Sequence, residues 1–67
     1  MNSFSVRLKE LRKSYNYTQK ELADEIGASE DSIYAWENGR RMPSVAFLTE
    51  LCRIFRISAD YLMGMDD

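Results

Sequence analysis

Between Thr18 and Arg41 the chain sets out hydroxyls, carboxylates, amides and guanidinium groups at short intervals. Ser29, Glu30, Asp31 and Ser32 come in a row, Tyr34 follows, and Arg40-Arg41 closes the stretch. These groups hydrogen-bond and recognise charge; they do not make a catalytic set. The chain has no histidine, and its single cysteine has no C-x-x-C partner. A histidine base, an intrachain disulfide and a structural zinc site are therefore not expected. Gly27, Gly39 and Gly64 lie too far apart to form a phosphate-cradling loop. Adjacent acids such as Asp24-Glu25 leave a helix on different sides and cannot work as a pair. Neither an enzyme nor a cofactor or small-molecule ligand is expected, which leaves non-covalent recognition.

The elements that must position these groups are all helical. Phe4, Leu8, Leu11 and Tyr15 recur at helical spacing and predict a buried face on a first helix from about Ser3 or Ser5 to Ser14. Thr18 and Glu21 form a T-x-x-E capping box that starts a second helix, which Gly27 ends. Ser29 is the natural N-cap of a third, with Glu30 and Asp31 in the first turn where the helix dipole favours acids. Asn38-Gly39 ends it. Ser44 caps a fourth helix with the stripe Leu48, Leu51, Cys52 and Phe55. Ser58 caps a short fifth, in which Leu62 and Tyr61 pack inward. Gly64 closes that helix, and Met65 to Asp67 read as a frayed tail. No segment reads as a strand, and no linker or repeat divides residues 1–67, so the expectation is one all-α domain.

At 67 residues the domain is near the lower limit for folding without metal or disulfide staples. No apolar run is long enough to span a membrane, and polar residues follow Met1 where a signal peptide would place its apolar core. With the lone cysteine, this points to the cytoplasm. Net charge is −2, unevenly spread. Residues 1–17 carry Arg7, Lys9, Arg12 and Lys13 against Glu10. Residues 18–41 set Lys20, Arg40 and Arg41 against six acids, and residues 42–67 are also net acidic. A basic stripe is compatible with this distribution; a uniformly basic domain is not.

The core stripe gives the second and third helices a common purpose. Leu22, Ala23 and Ile26 form one line, Gly27 breaks it, and Ile33 and Trp36 resume it. Ala23 is small where two helices must approach closely. Ile33 and Trp36 share a face, which turns Ser32, Tyr34 and Ala35 elsewhere and makes Trp36 a core residue. This spacing suits a helix-turn-helix over residues 18–38, whose second helix enters the DNA major groove. An ordinary helical hairpin fits the spacing too.

From Val6 to Gly64 the chain closely resembles the Cro/C1-type (Xre-like) helix-turn-helix family, which includes phage repressors and many small bacterial regulators. The resemblance rests on RLKELRKSYNYTQKELADEIGASEDSIYAWENGRRMPS and on SADYLMG. T-Q-K-E-L-A followed by W-E-N-G-R and Pro43 is its most specific part. It implies a compact five-helix, lambda-repressor-like bundle, encoded by a bacterium or phage. The function it implies is sequence-specific double-stranded DNA binding in transcriptional regulation, most often as a repressor.

By the same resemblance, helix 29–38 would read bases through Ser29, Glu30, Asp31, Ser32, Tyr34 and Ala35. Thr18, Gln19, Asn38, Arg40 and Arg41 would meet phosphates, and Arg12 and Glu37 would form an internal ion pair. The departure is at Glu30 and Asp31, where the family commonly holds Gln, Arg, Lys, Ser or Thr. Carboxylates there can accept from cytosine N4 but also face the phosphates' repulsion. They suit helix-dipole placement, cytosine reading, or a surface that has exchanged DNA for a protein partner. The resemblance also implies a homodimer on a palindromic operator, joined through helix five and the tail (Tyr61, Leu62, Met63, Met65). A protein-interaction module, antitoxin-like or an antirepressor's partner, is the alternative function.

Overall fold

Serine and threonine hydroxyls start four of the helices, and left-handed residues end all five. In a computed structural model describing residues 3–65, the elements are α1 (Ser3–Ser14), α2 (Gln19–Ile26), α3 (Glu30–Glu37), α4 (Val45–Phe55) and α5 (Ala59–Leu62). No strand occurs among the described residues. The Thr18 hydroxyl accepts from the Glu21 amide while the Glu21 carboxylate accepts from the Thr18 amide, so both halves of the predicted capping box are made. The hydroxyls of Ser29, Ser44 and Ser58 accept from the amides of Ser32, Phe47 and Tyr61. Each bond satisfies an amide that the helix itself cannot.

At the other ends, Asn16, Gly27, Gly39, Arg56 and Gly64 all have positive φ. After each, an amide reaches back five residues to a helix carbonyl: Tyr17 to Arg12, Ala28 to Ala23, Arg40 to Ala35, Ile57 to Cys52 and Met65 to Asp60. This is the Schellman closure, which reverses the chain sharply and spends few residues on loops. Two of the five rest on residues other than glycine, so the sequence did not announce them.

The helices enclose a core of Phe4, Leu8, Leu22, Ala23, Ile26, Ile33, Trp36, Leu51, Phe55 and Leu62. α2 packs on α3, α1 crosses α3 and α5, and α4 meets α2 and α5. Several expectations need correction. Tyr15 is 47 % exposed; its ring meets the Phe55 ring edge-on at 5.0 Å and its hydroxyl donates to the Phe55 carbonyl, so it covers the core without entering it. Leu11, Leu48 and Cys52 are only partly buried, and the inner line of α4 is Leu51 and Phe55. Tyr61 is exposed, with the Arg7 guanidinium 4.4 Å above its ring. Partial burial raises the Cys52 thiol above its ordinary pKa and keeps it protonated. Of the tail, Met65 is exposed; Asp66 and Asp67 lie outside the described residues. Among the described residues no helix is long and apolar enough to cross a membrane.

Candidate nucleic-acid interface

The inner side of α3 is held by both apolar and polar contacts. Ile33 and Trp36 are buried, Trp36 at 5.6 Å from the Phe47 ring. The Ser5 hydroxyl, itself fully buried, donates to the Trp36 carbonyl at 2.6 Å and ties α1 to the end of α3. Glu37 is the polar centre. Arg12 Nε donates to Glu37 Oε2 at 2.6 Å and Arg12 Nη2 to Oε1 at 3.1 Å. The remaining Arg12 nitrogen, Nη1, donates to the Tyr17 carbonyl. The two side chains are 10 % and 2 % exposed, so this is a buried bidentate pair. No buried side-chain polar atom among the described residues lacks a partner.

Gln19 joins this network from the start of α2, donating from Nε2 to Glu37 Oε1 at 3.1 Å. That bond orients its amide and leaves its second N–H for an incoming acceptor. Thr18 is exposed beside it. Its oxygen accepts the cap bond, and its O–H hydrogen remains free to donate. The Asn38 side chain donates to the Tyr34 carbonyl at 2.8 Å and keeps one N–H in reserve. Arg40 and Arg41 are exposed, and the turn at Gly39 carries them past the end of α3. All five expected phosphate-contacting residues therefore retain a donor, and they gather at the start of α2 and the end of α3.

On the outward side of α3, Glu30, Asp31 and Tyr34 are exposed and Ser32 is half-buried. The Ser29 and Ser32 hydroxyls lie 2.9 Å apart, and Ser29 also serves as N-cap. Ala35 does not take the expected place. It is only 7 % exposed although it lies outside the core cluster. Its carbonyl is also occupied, accepting from the Arg40 amide at 2.9 Å. Its methyl has too little open surface to read a base. Leu62 needs the same kind of correction: it is fully buried in the core and cannot face a second subunit, whereas Tyr61 and Met65 are exposed and Met63 is partly buried.

An open concavity of about 480 Å³ is lined by Tyr15, Asn16, Tyr17, Glu21, Asp24 and Glu25. Its three carboxylates repel phosphate, and it shares no residue with the outward set on α3. Sequence reasoning missed Ser5, the Gln19–Glu37 bond and the Arg7–Tyr61 stacking. A T-Q helix start ahead of W-E-N hints at the second; a serine on an apolar stripe gives almost no hint of the first.

Two short helices joined through a glycine turn, the second pinned from behind and polar in front, define a helix-turn-helix domain. The helix-turn-helix family pattern matches residues 8–62, and the chain belongs to that family, in its Cro/C1-type branch. It is 35 % identical over 65 residues to the HTH-type transcriptional regulator ImmR of Bacillus subtilis, covering 97 % of this chain and 51 % of ImmR. It is 40 % identical over 58 residues to the phage CTXphi transcriptional repressor RstR of Vibrio cholerae, covering 87 % of this chain and 52 % of RstR. The chain thus spans about half the length of these relatives. The P22 c2 repressor, solved in complex with a synthetic operator, superposes with a TM-score of 0.90 at 27 % identity, over 98 % of this chain and all of that one.

Proposed function

We propose that residues 1–67 act in the cytoplasm as a single DNA-binding domain that reads a specific duplex sequence and regulates transcription, as a repressor. The observation that carries this reading is the outward face of α3 together with the donors at the start of α2 and in the 38–41 loop, which the Gln19–Glu37 bond brings to the end of that helix. A backbone that superposes on an operator-bound repressor over 98 % of its length supports the same orientation. In it, α3 enters the major groove. The carboxylates of Glu30 and Asp31 accept from cytosine N4 groups, and the Ser29 and Ser32 hydroxyls hydrogen-bond base edges. Tyr34 lies along the groove wall. Thr18, Gln19, Asn38, Arg40 and Arg41 hold the phosphates and set the register without specifying sequence.

One such domain touches few base pairs, so the working form is a homodimer on a palindromic operator, with half-sites about 34–36 Å apart. Tyr61, Met63 and Met65 at the α5 end supply the apolar contact. The test is selection of binders from a random duplex pool, in which an enriched palindrome of that spacing is expected. No enrichment by a folded chain would overturn the DNA reading and favour a protein partner for the acidic end of α3. Replacing Arg40 and Arg41 together by alanine should weaken binding to all sequences. It should also flatten the dependence of log K on log salt by about 0.9 for each phosphate no longer neutralised. An unchanged slope removes both arginines from the phosphate set.

A further inference from the structure

Tyr34 is exposed on the outward side of α3, and its ring lies under the Arg40 guanidinium, with Cζ 5.9 Å from the ring centroid. Its carbonyl accepts twice from Asn38, through the backbone amide at 3.0 Å and the side-chain amide at 2.8 Å. One residue later, Gly39 takes its left-handed turn and the Arg40 amide is locked onto the Ala35 carbonyl. Tyr34, Asn38 and Arg40 are therefore one unit at the C-terminal end of the helix. The backbone of Arg40 is fixed by the Schellman closure, and an aromatic face is set where its long side chain would otherwise roam.

We propose that Tyr34 is a positioning residue for Arg40: its ring holds the guanidinium at the edge of the groove, so that entry of α3 and the phosphate grip occur as one event. This rests on the DNA-reading function proposed above. The physical basis is the attraction of a cation to the negative face of an aromatic ring, together with the reduced freedom of an arginine that would lose that freedom on binding anyway. Arg41, one residue further along, has no ring beneath it among the described residues, and the two adjacent arginines are thereby made unequal.

The experiment compares wild type, Tyr34→Phe, Tyr34→Leu, Arg40→Ala and the double variant Tyr34→Leu/Arg40→Ala, each checked for an unchanged melting temperature. In the free protein, the Arg40 side-chain protons should carry an upfield ring-current shift by NMR, present in wild type and Tyr34→Phe and lost in Tyr34→Leu. With the operator recovered by selection and with an unrelated duplex, Tyr34→Leu should weaken binding to both by a similar factor, about two- to fivefold. It should lower the salt slope in the same direction as Arg40→Ala and add nothing further in the double variant. Tyr34→Phe should restore wild-type binding. A Tyr34→Leu variant that changes preference between duplexes at an unchanged salt slope would make Tyr34 a base reader and overturn the proposal. Absence of the ring-current shift would overturn it as well. A ring-current shift in a wild-type chain that binds no duplex would overturn the DNA reading and the role of Arg40 with it, leaving only the packing of the two side chains.

Discussion

Glu37→Ala should lower the unfolding free energy by about 3–5 kcal/mol, because it leaves the Arg12 guanidinium buried without its counter-charge. In this structure Arg12 gives Glu37 two hydrogen bonds, Gln19 gives it a third, and its carboxylate is almost wholly enclosed. A core of this size rarely supplies more than about 3–5 kcal/mol in total. The variant should therefore be largely unfolded at 25 °C, as read by far-UV circular dichroism and urea titration. The charge left behind, more than the missing attraction, is the cause. Arg12→Met combined with Glu37→Leu should accordingly recover most of the stability, since apolar replacement of a whole buried pair is often neutral or better. A Glu37→Ala protein that loses less than about 1 kcal/mol would show that the apolar contacts and the Ser5–Trp36 bond hold α1 and α3 together without the ion pair.

Ile33→Ala is the second large effect, about 2–5 kcal/mol. Ile33 has no exposed surface and, with Trp36, makes up the buried apolar anchorage of α3 within the core cluster. Truncation removes three methyl or methylene groups and leaves a cavity between α3 and the helices behind it, which can close only if α3 itself moves. The urea midpoint should fall with little change in slope, the sign of reduced stability and not of an altered denatured state. Asp31→Ala, two residues away on the exposed side, should stay within about 0.5 kcal/mol and serves as the control. Equal losses at both positions would mean that α3 is not anchored through its apolar side.

The helix starts were legible because each depends on one residue type at one place. Thr18, Ser29, Ser44 and Ser58 satisfy amides within their own first turn, and nothing distant is needed to predict it. The helix ends were legible where glycine took the left-handed position. Asn16 and Arg56 take that position with a Cβ; asparagine tolerates it readily, whereas nothing in the arginine residue type signals it. The candidate site divides in the same way. The alternation of buried Ile33 and Trp36 with open Glu30, Asp31 and Tyr34 follows from helical periodicity. The burial of Ala35 depends on tertiary packing that helical periodicity does not predict, and the Gln19 bond to Glu37 joins residues 18 apart in sequence. Periodicity also placed Tyr15 on the buried face, and it fails there because α1 ends at Ser14, so Tyr15 lies in the turn and only its ring edge reaches Phe55.

Trp36 is the chain's one tryptophan, and it sits on the side of α3 opposite the exposed Glu30, Asp31 and Tyr34. Its indole is 3 % exposed and packs near Phe47. The protein thus carries a fluorophore that is shielded while the domain is folded and wetted when it is not. Its emission tracks the integrity of the helix from behind and is insulated from whatever the front face holds. A variant that no longer binds but still emits as wild type is altered at its front face alone; one whose emission shifts to the red has come unfolded.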